Sequence, residues 1–70
     1  MTNDLDKVAR LLPHWVEHNA EHAQEFRQWA ERARSLGAED VADSIVQAAE
    51  AMELANSHLE EARASLKQDA

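Results

Sequence analysis

The chain has 70 residues, enough for one small domain, and no cysteine, which excludes a disulfide framework, a thiolate zinc site or a dithiol redox motif. Fourteen Asp and Glu against seven Lys and Arg give a formal charge of -7, so nucleic acid and anionic membrane surfaces are poor partners, both requiring a basic face. A chain this short buries a small fraction of its surface and needs help to be stable; without disulfides, that help is a bound metal or self-association.

The N-terminal stretch Met1-Thr2-Asn3-Asp4 is polar, and no run resembles a signal-peptide core or a membrane span. The expected location is the cytoplasm. The pattern predicts a short helical segment over about 3–12, capped by Asn3, because Pro13 lacks an amide donor and clashes with the preceding turn. A helix is expected to kink or to begin there.

From 13 to 36 the spacing predicts a first long helix. With the preceding segment, Leu5, Val8, Leu12, Trp15, Asn19, His22, Phe26, Trp29, Ala33 and Leu36 recur at alternating steps of three and four. This is the seam of packed helices, flanked by alanines that broaden the stripe. Gly37 then stands where a helix end takes a left-handed residue, preceded by Arg32 and Arg34 and followed by Glu39 and Asp40. A second long helix is predicted over 38–68, with Val41, Ile45, Ala48, Met52, Ala55, Leu59, Ala62 and Leu66 as its seam.

The fold class is therefore all-α: an antiparallel hairpin of two long helices. Trp15, Phe26 and Trp29 are large for a core only two helices thick, so dimerisation into a four-helix bundle is expected. Asn19 and His22 occupy seam sites where leucine would pack better; such residues often fix register or oligomeric state.

Chemistry concentrates in the segment from His14 to Glu25. His14, His18 and His22 are four apart and lie on one side of a helix, each about 6 Å above the last. Imidazoles at this spacing can share a metal ion, and Glu17, Glu21 and Glu25 run parallel to them. A hairpin folded at Gly37 brings level those residues whose numbers sum to about 74, so His58 is expected within about 3 Å of the heights of His14 and His18. The expected metal ligands are His14, His18 and His58, with His22 and Glu21 as further candidates. The ion is a divalent transition metal (Zn, Ni, Co, Cu or Fe), whose identity imidazole ligands do not select.

His14 to His18 and His18 to His22 both read H-x-x-E-H, which resembles the inverted zinc-peptidase motif. The resemblance implies His18 and His22 as zinc ligands and Glu21 as general base. Seventy residues leave no room for the rest of such a site, so no enzymatic activity is expected. The di-iron bundle motif E-x-x-H does not occur. The stretch Leu11-Leu12-Pro13-His14-Trp15-Val16-Glu17-His18-Asn19 resembles small uncharacterised prokaryotic helical domains; it implies a family without an assigned role. Two functions compete. One is a small transition-metal-binding protein acting as accessory, carrier, buffer or sensor. The other is a metal-free homo-oligomeric docking module with incidental histidines, able to engage a protein partner.

Overall fold

In a computed structural model the described residues, 3–69, form two helices: α1, Asn3–Ser35, and α2, Glu39–Asp69. The expected cap at Asn3 lies outside the described side chains. The helices pack antiparallel into a rod of 54 × 14 × 13 Å, about the length of α1 itself at 1.5 Å per residue. No helix among the described residues is long and apolar enough to cross a membrane.

The turn is built by backbone chemistry. Gly37 takes φ of 86°, the left-handed region. Its N–H donates to the Arg34 carbonyl at 3.0 Å, and the Ala38 N–H donates to the Ala33 carbonyl at 2.9 Å. These two bonds are the Schellman pair, and they satisfy carbonyls that the end of α1 would otherwise leave free. The Ala38 carbonyl then accepts from Ala42, so Ala38 starts α2 without a side-chain cap. Glu39 and Asp40 supply negative charge to that first turn instead. Arg34 ties the turn across, donating to Glu39 at 2.6 Å and to Asp43 at 3.1 Å.

Pro13 neither breaks α1 nor begins it, contrary to the expected separate segment over 3–12. The proline costs one ladder bond, to the Ala9 carbonyl. Ala9 and Pro13 are both exposed, so water can reach the released group. Leu12, one residue earlier, is buried against α2. That anchor carries the helix past the proline.

The seam differs from the expected one by one position in every heptad. On α1 the seam runs through Leu12, Val16, Asn19, Ala23, Phe26, Ala30 and Ala33, and on α2 through Ala42, Ile45, Ala49, Met52, Asn56, Leu59, Arg63 and Leu66, with Leu11, His22, Val46 and Ala55 half-covered beside it. Half of the expected seam is therefore right: Leu12, Asn19, Phe26 and Ala33 on α1, and Ile45, Met52, Leu59 and Leu66 on α2. The other half is rotated out. Val16, Ala23 and Ala30 replace Trp15, His22 and Trp29, while Ala42 and Ala49 replace Val41 and Ala48. Small side chains at the contact let two helix backbones approach closely and pack without voids. An indole wedged between only two helices would hold them apart.

Two asparagines meet this alanine seam. Asn56 donates from Nδ2 to the Val16 carbonyl at 2.9 Å, while its Oδ1 is buried without a partner. Asn19 lies half-buried near the same height. A polar contact that only one register satisfies penalises sliding of one helix along the other. Asn19 occupies its expected seam position; Asn56 stands one residue beyond Ala55, the residue expected there.

One edge of the hairpin is held by ions. Arg27 grips Glu53 with both fork arms, Nε to Oε2 at 3.0 Å and Nη2 to Oε1 at 2.7 Å. That bidentate bond holds the Glu53 carboxyl below the usual carboxylate range. A group depressed in this way stabilises the fold above its unfolded pKa and loses that contribution as pH falls through its folded value. Glu53→Gln is therefore expected to lower the melting midpoint at pH 7, with the gap from the parent chain closing as the pH is lowered through the acid range. Gly37→Ala is expected to cost about 1 kcal/mol in urea unfolding, the penalty for an L-residue in the left-handed region. An added Cβ would touch nothing within 4 Å, so the cost is conformational alone.

Candidate functional site: an uncharged edge and a histidine ladder

The seam has two flanks. Arg27 and Arg34 stand on one, joined across to Glu53 and Glu39. The residues one step to the other side of the seam form the opposite edge. On α1 these are Val8, Trp15, His22, Trp29 and Leu36, seven apart; on α2 they are Val41, Ala48, Ala55 and Ala62, also seven apart. Trp29 is 61% exposed, Leu36 70%, Val41 53%, Trp15 40% and Val8 37%.

The next row outward on α2 contains Ser44, Ala51, His58 and Ser65. Asp, Glu, Lys and Arg make up 30% of the chain, yet none occurs in either α2 row on this edge. Together those rows repeat the three-four spacing of a helix seam and, apart from Val41 and His58, consist of alanine and serine. The matching outer row on α1 holds Leu11, His18, Glu25 and Arg32. The hairpin thus has one seam filled by its own helices and a second one open to solvent.

The histidines climb along this open side. His14 lies near the back of α1, His18 in the outer row of the open edge, and His22 half-buried beside the seam. Each step of four residues turns the helix a further 40° towards α2. Their rings form a ladder: His14 stacks over His18 with centroids 6.3 Å apart, His18 meets His22 edge-on at 4.5 Å, and His22 stacks towards half-buried Phe26 at 6.0 Å. The Nε2 atoms of His18 and His22 are 3.0 Å apart, one ring N–H donating to the other's lone pair. The Glu25 carboxylate faces the opposite nitrogen of His22, Nδ1, at 3.6 Å. Glu21 lines the same open hollow as His18 and His22.

The structure therefore brings together His18 and His22, with Glu25 behind and Glu21 beside them. It does not join His58 to them. His58 points along its own helix, Nδ1 3.4 Å from Glu61 Oε1. Among the described residues no three His, Asp or Glu side chains stand close enough to hold one metal ion. The expected convergence of His14, His18 and His58 within one hairpin is not formed. His18 and His58 sit on the outer corners of the edge, with the Trp15 and Ala55 rows between them. His14 is turned away from α2 altogether. Glu25, which sequence reasoning treated only as one of a parallel row, is the carboxylate that faces a ring nitrogen; its i+3 spacing from His22 is the signal.

An all-α hairpin with an open second seam defines the structural class. The chain belongs to the family DUF8180, a domain of unknown function, matched over residues 8–66. That span runs from the first to nearly the last residue of the two seams. No curated protein and no solved structure matches the chain.

Proposed function

We propose that this chain is a self-associating helical module that dimerises through its open edge into a four-helix bundle. The observation that carries the reading is the open second seam: a seven-residue repeat of large apolar residues on α1 beside one of small residues on α2, in a chain otherwise rich in charge. Val8, Trp15, Trp29, Leu36 and Val41 are all exposed along this edge, and a contiguous run of large apolar side chains on one face of a small chain marks an interaction surface. Two copies seated on this edge would give each helix two neighbours, the packing that Trp15 and Trp29 lack in a single hairpin.

Trp29→Gln separates the alternatives. In a lone hairpin the side chain is mostly in water, and its loss changes stability by less than about 0.5 kcal/mol. In the dimer it lies in the interface, and sedimentation equilibrium is expected to show association weakened tenfold or more. A parent chain that sediments as a monomer at high micromolar concentration would refute the reading.

A second reading, transition-metal binding, is favoured by one distance. Two nitrogens bound at 2.0–2.1 Å to the same ion lie roughly 3 Å apart, and the two Nε2 atoms are already 3.0 Å apart. Glu25 would accept the Nδ1 proton of His22, fixing the ring so that Nε2 offers its lone pair. A metal held in this way suits the accessory, carrier, buffer or sensor roles. Added Zn²⁺, Ni²⁺, Co²⁺ or Cu²⁺ is expected to raise the melting midpoint by linkage, and the rise is expected to vanish in the His18→Ala, His22→Ala double variant. An equal rise in that variant would place the metal elsewhere.

A further inference from the structure

The geometry points to a metal site completed between two copies: His18 and His22 of one chain and His58 of the other hold one divalent transition-metal ion, twice per dimer. This inference rests on the dimer reading above. It begins from a shortage. His18 and His22 supply two converging nitrogens, and a stable zinc-type site needs three or four protein ligands. His58 is exposed on the same edge of the same hairpin but on its far corner.

Two isologous arrangements can bury the open seam. A two-fold axis across the helices sets α1 against the second α1 and α2 against the second α2. Indoles would then crowd one contact, while alanines left the other loose. A two-fold axis parallel to the helices sets α1 against the second copy's α2. Trp15 and Trp29 then pack onto the alanine rows, large into small, at both contacts alike. Volume favours the second arrangement.

A rotation about an axis parallel to the helices leaves every height unchanged. The α2 of the second copy therefore stands level with α1 as its own α2 does. Asn56 marks that level by reaching the Val16 backbone, and Arg34 marks it again by reaching Asp43. By these marks His18 lies within about one turn, ~5 Å, of the height of His58. Between facing antiparallel helices, outer row meets outer row. His18 and His58 belong to those rows, so the second copy's His58 comes to the side of the pair that its own His58 cannot reach. Its hydrogen bond among the described residues is an exposed one with Glu61, which water can replace. Binding joins nitrogen lone pairs to the ion; the ring that donates in the His18–His22 hydrogen bond moves its proton from Nε2 to its own Nδ1 through solvent, with no net proton released from the neutral pair.

The test is complementation between two defective chains, with Zn²⁺ as the probe and Co²⁺ absorption as the readout of geometry. One chain carries His58→Ala; the other carries His18→Ala and His22→Ala. Each alone is expected to bind Zn²⁺ at least tenfold more weakly than the parent. Unfolded together and refolded, they are expected to regain parental affinity, at no more than one ion per mixed dimer. Mixed dimers hold one complete site if the ligands come from two chains and none if they come from one. No recovery on mixing, or undiminished binding by the His58→Ala chain, overturns the shared site. Circular-dichroism melting in EDTA reports whether each variant folds. Sedimentation of the parent in EDTA tests the dimer separately, so a metal-free dimer without complementation would refute only this inference.

Discussion

The contact on which everything else depends is the meeting of alanines at the centre of the hairpin. Ala23 and Ala30 of α1 and Ala42 and Ala49 of α2 are buried, and each is too small to keep the helices apart. Close backbones bring the arginine flank of α1 within reach of the glutamates of α2, which is why Arg27 and Arg34 find bidentate or double partners. The same rotation turns Trp15, His22 and Trp29 out of the seam. One choice of packing thus creates both edges, an ionic one that closes the hairpin and an apolar one that it leaves open.

Those edges divide the labour of stability differently. The ionic edge is exposed and contributes little on its own, since water screens such pairs. What it supplies is orientation: Arg27 and Arg34 tie the two helices together along one flank. The apolar edge holds more potential free energy but needs a second surface to realise it. Among the described residues only five apolar side chains are buried, a small core for a chain without cysteine, and in the proposed dimer a second copy would cover the open edge. His22 lies at the corner between the filled seam and the open one, with His18 on the outer side of the open edge.

Fold class was legible in the residues because it depends on short-range chemistry. The helix-forming composition, the three-four spacing and Gly37 before an acidic turn all act within a few residues, and the Schellman bonds at Ala33, Arg34, Gly37 and Ala38 follow from them. The histidine spacing was equally legible, and the 3.0 Å approach of His18 to His22 is the direct result of a four-residue step. Pro13 was the exception, since local chemistry favours a break and the burial of Leu12 overrides it.

Which face of each helix turns inward belongs to the tertiary structure. Both candidate seams have the same period, and they differ by a single residue step, so periodicity alone cannot rank them. Hydrophobicity ranks Trp15 and Trp29 above Ala23 and Ala30 as core residues. The paired helices reverse that order, because interhelical distance, not side-chain apolarity, governs how many atoms two backbones bring into contact. From that reversal follow the separation of His58 from His18, the role of Glu25 behind His22, and the open edge. The sequence by itself determined a helical hairpin with a histidine ladder; the close approach of its two helices decided which way the ladder, and the tryptophans beside it, would face.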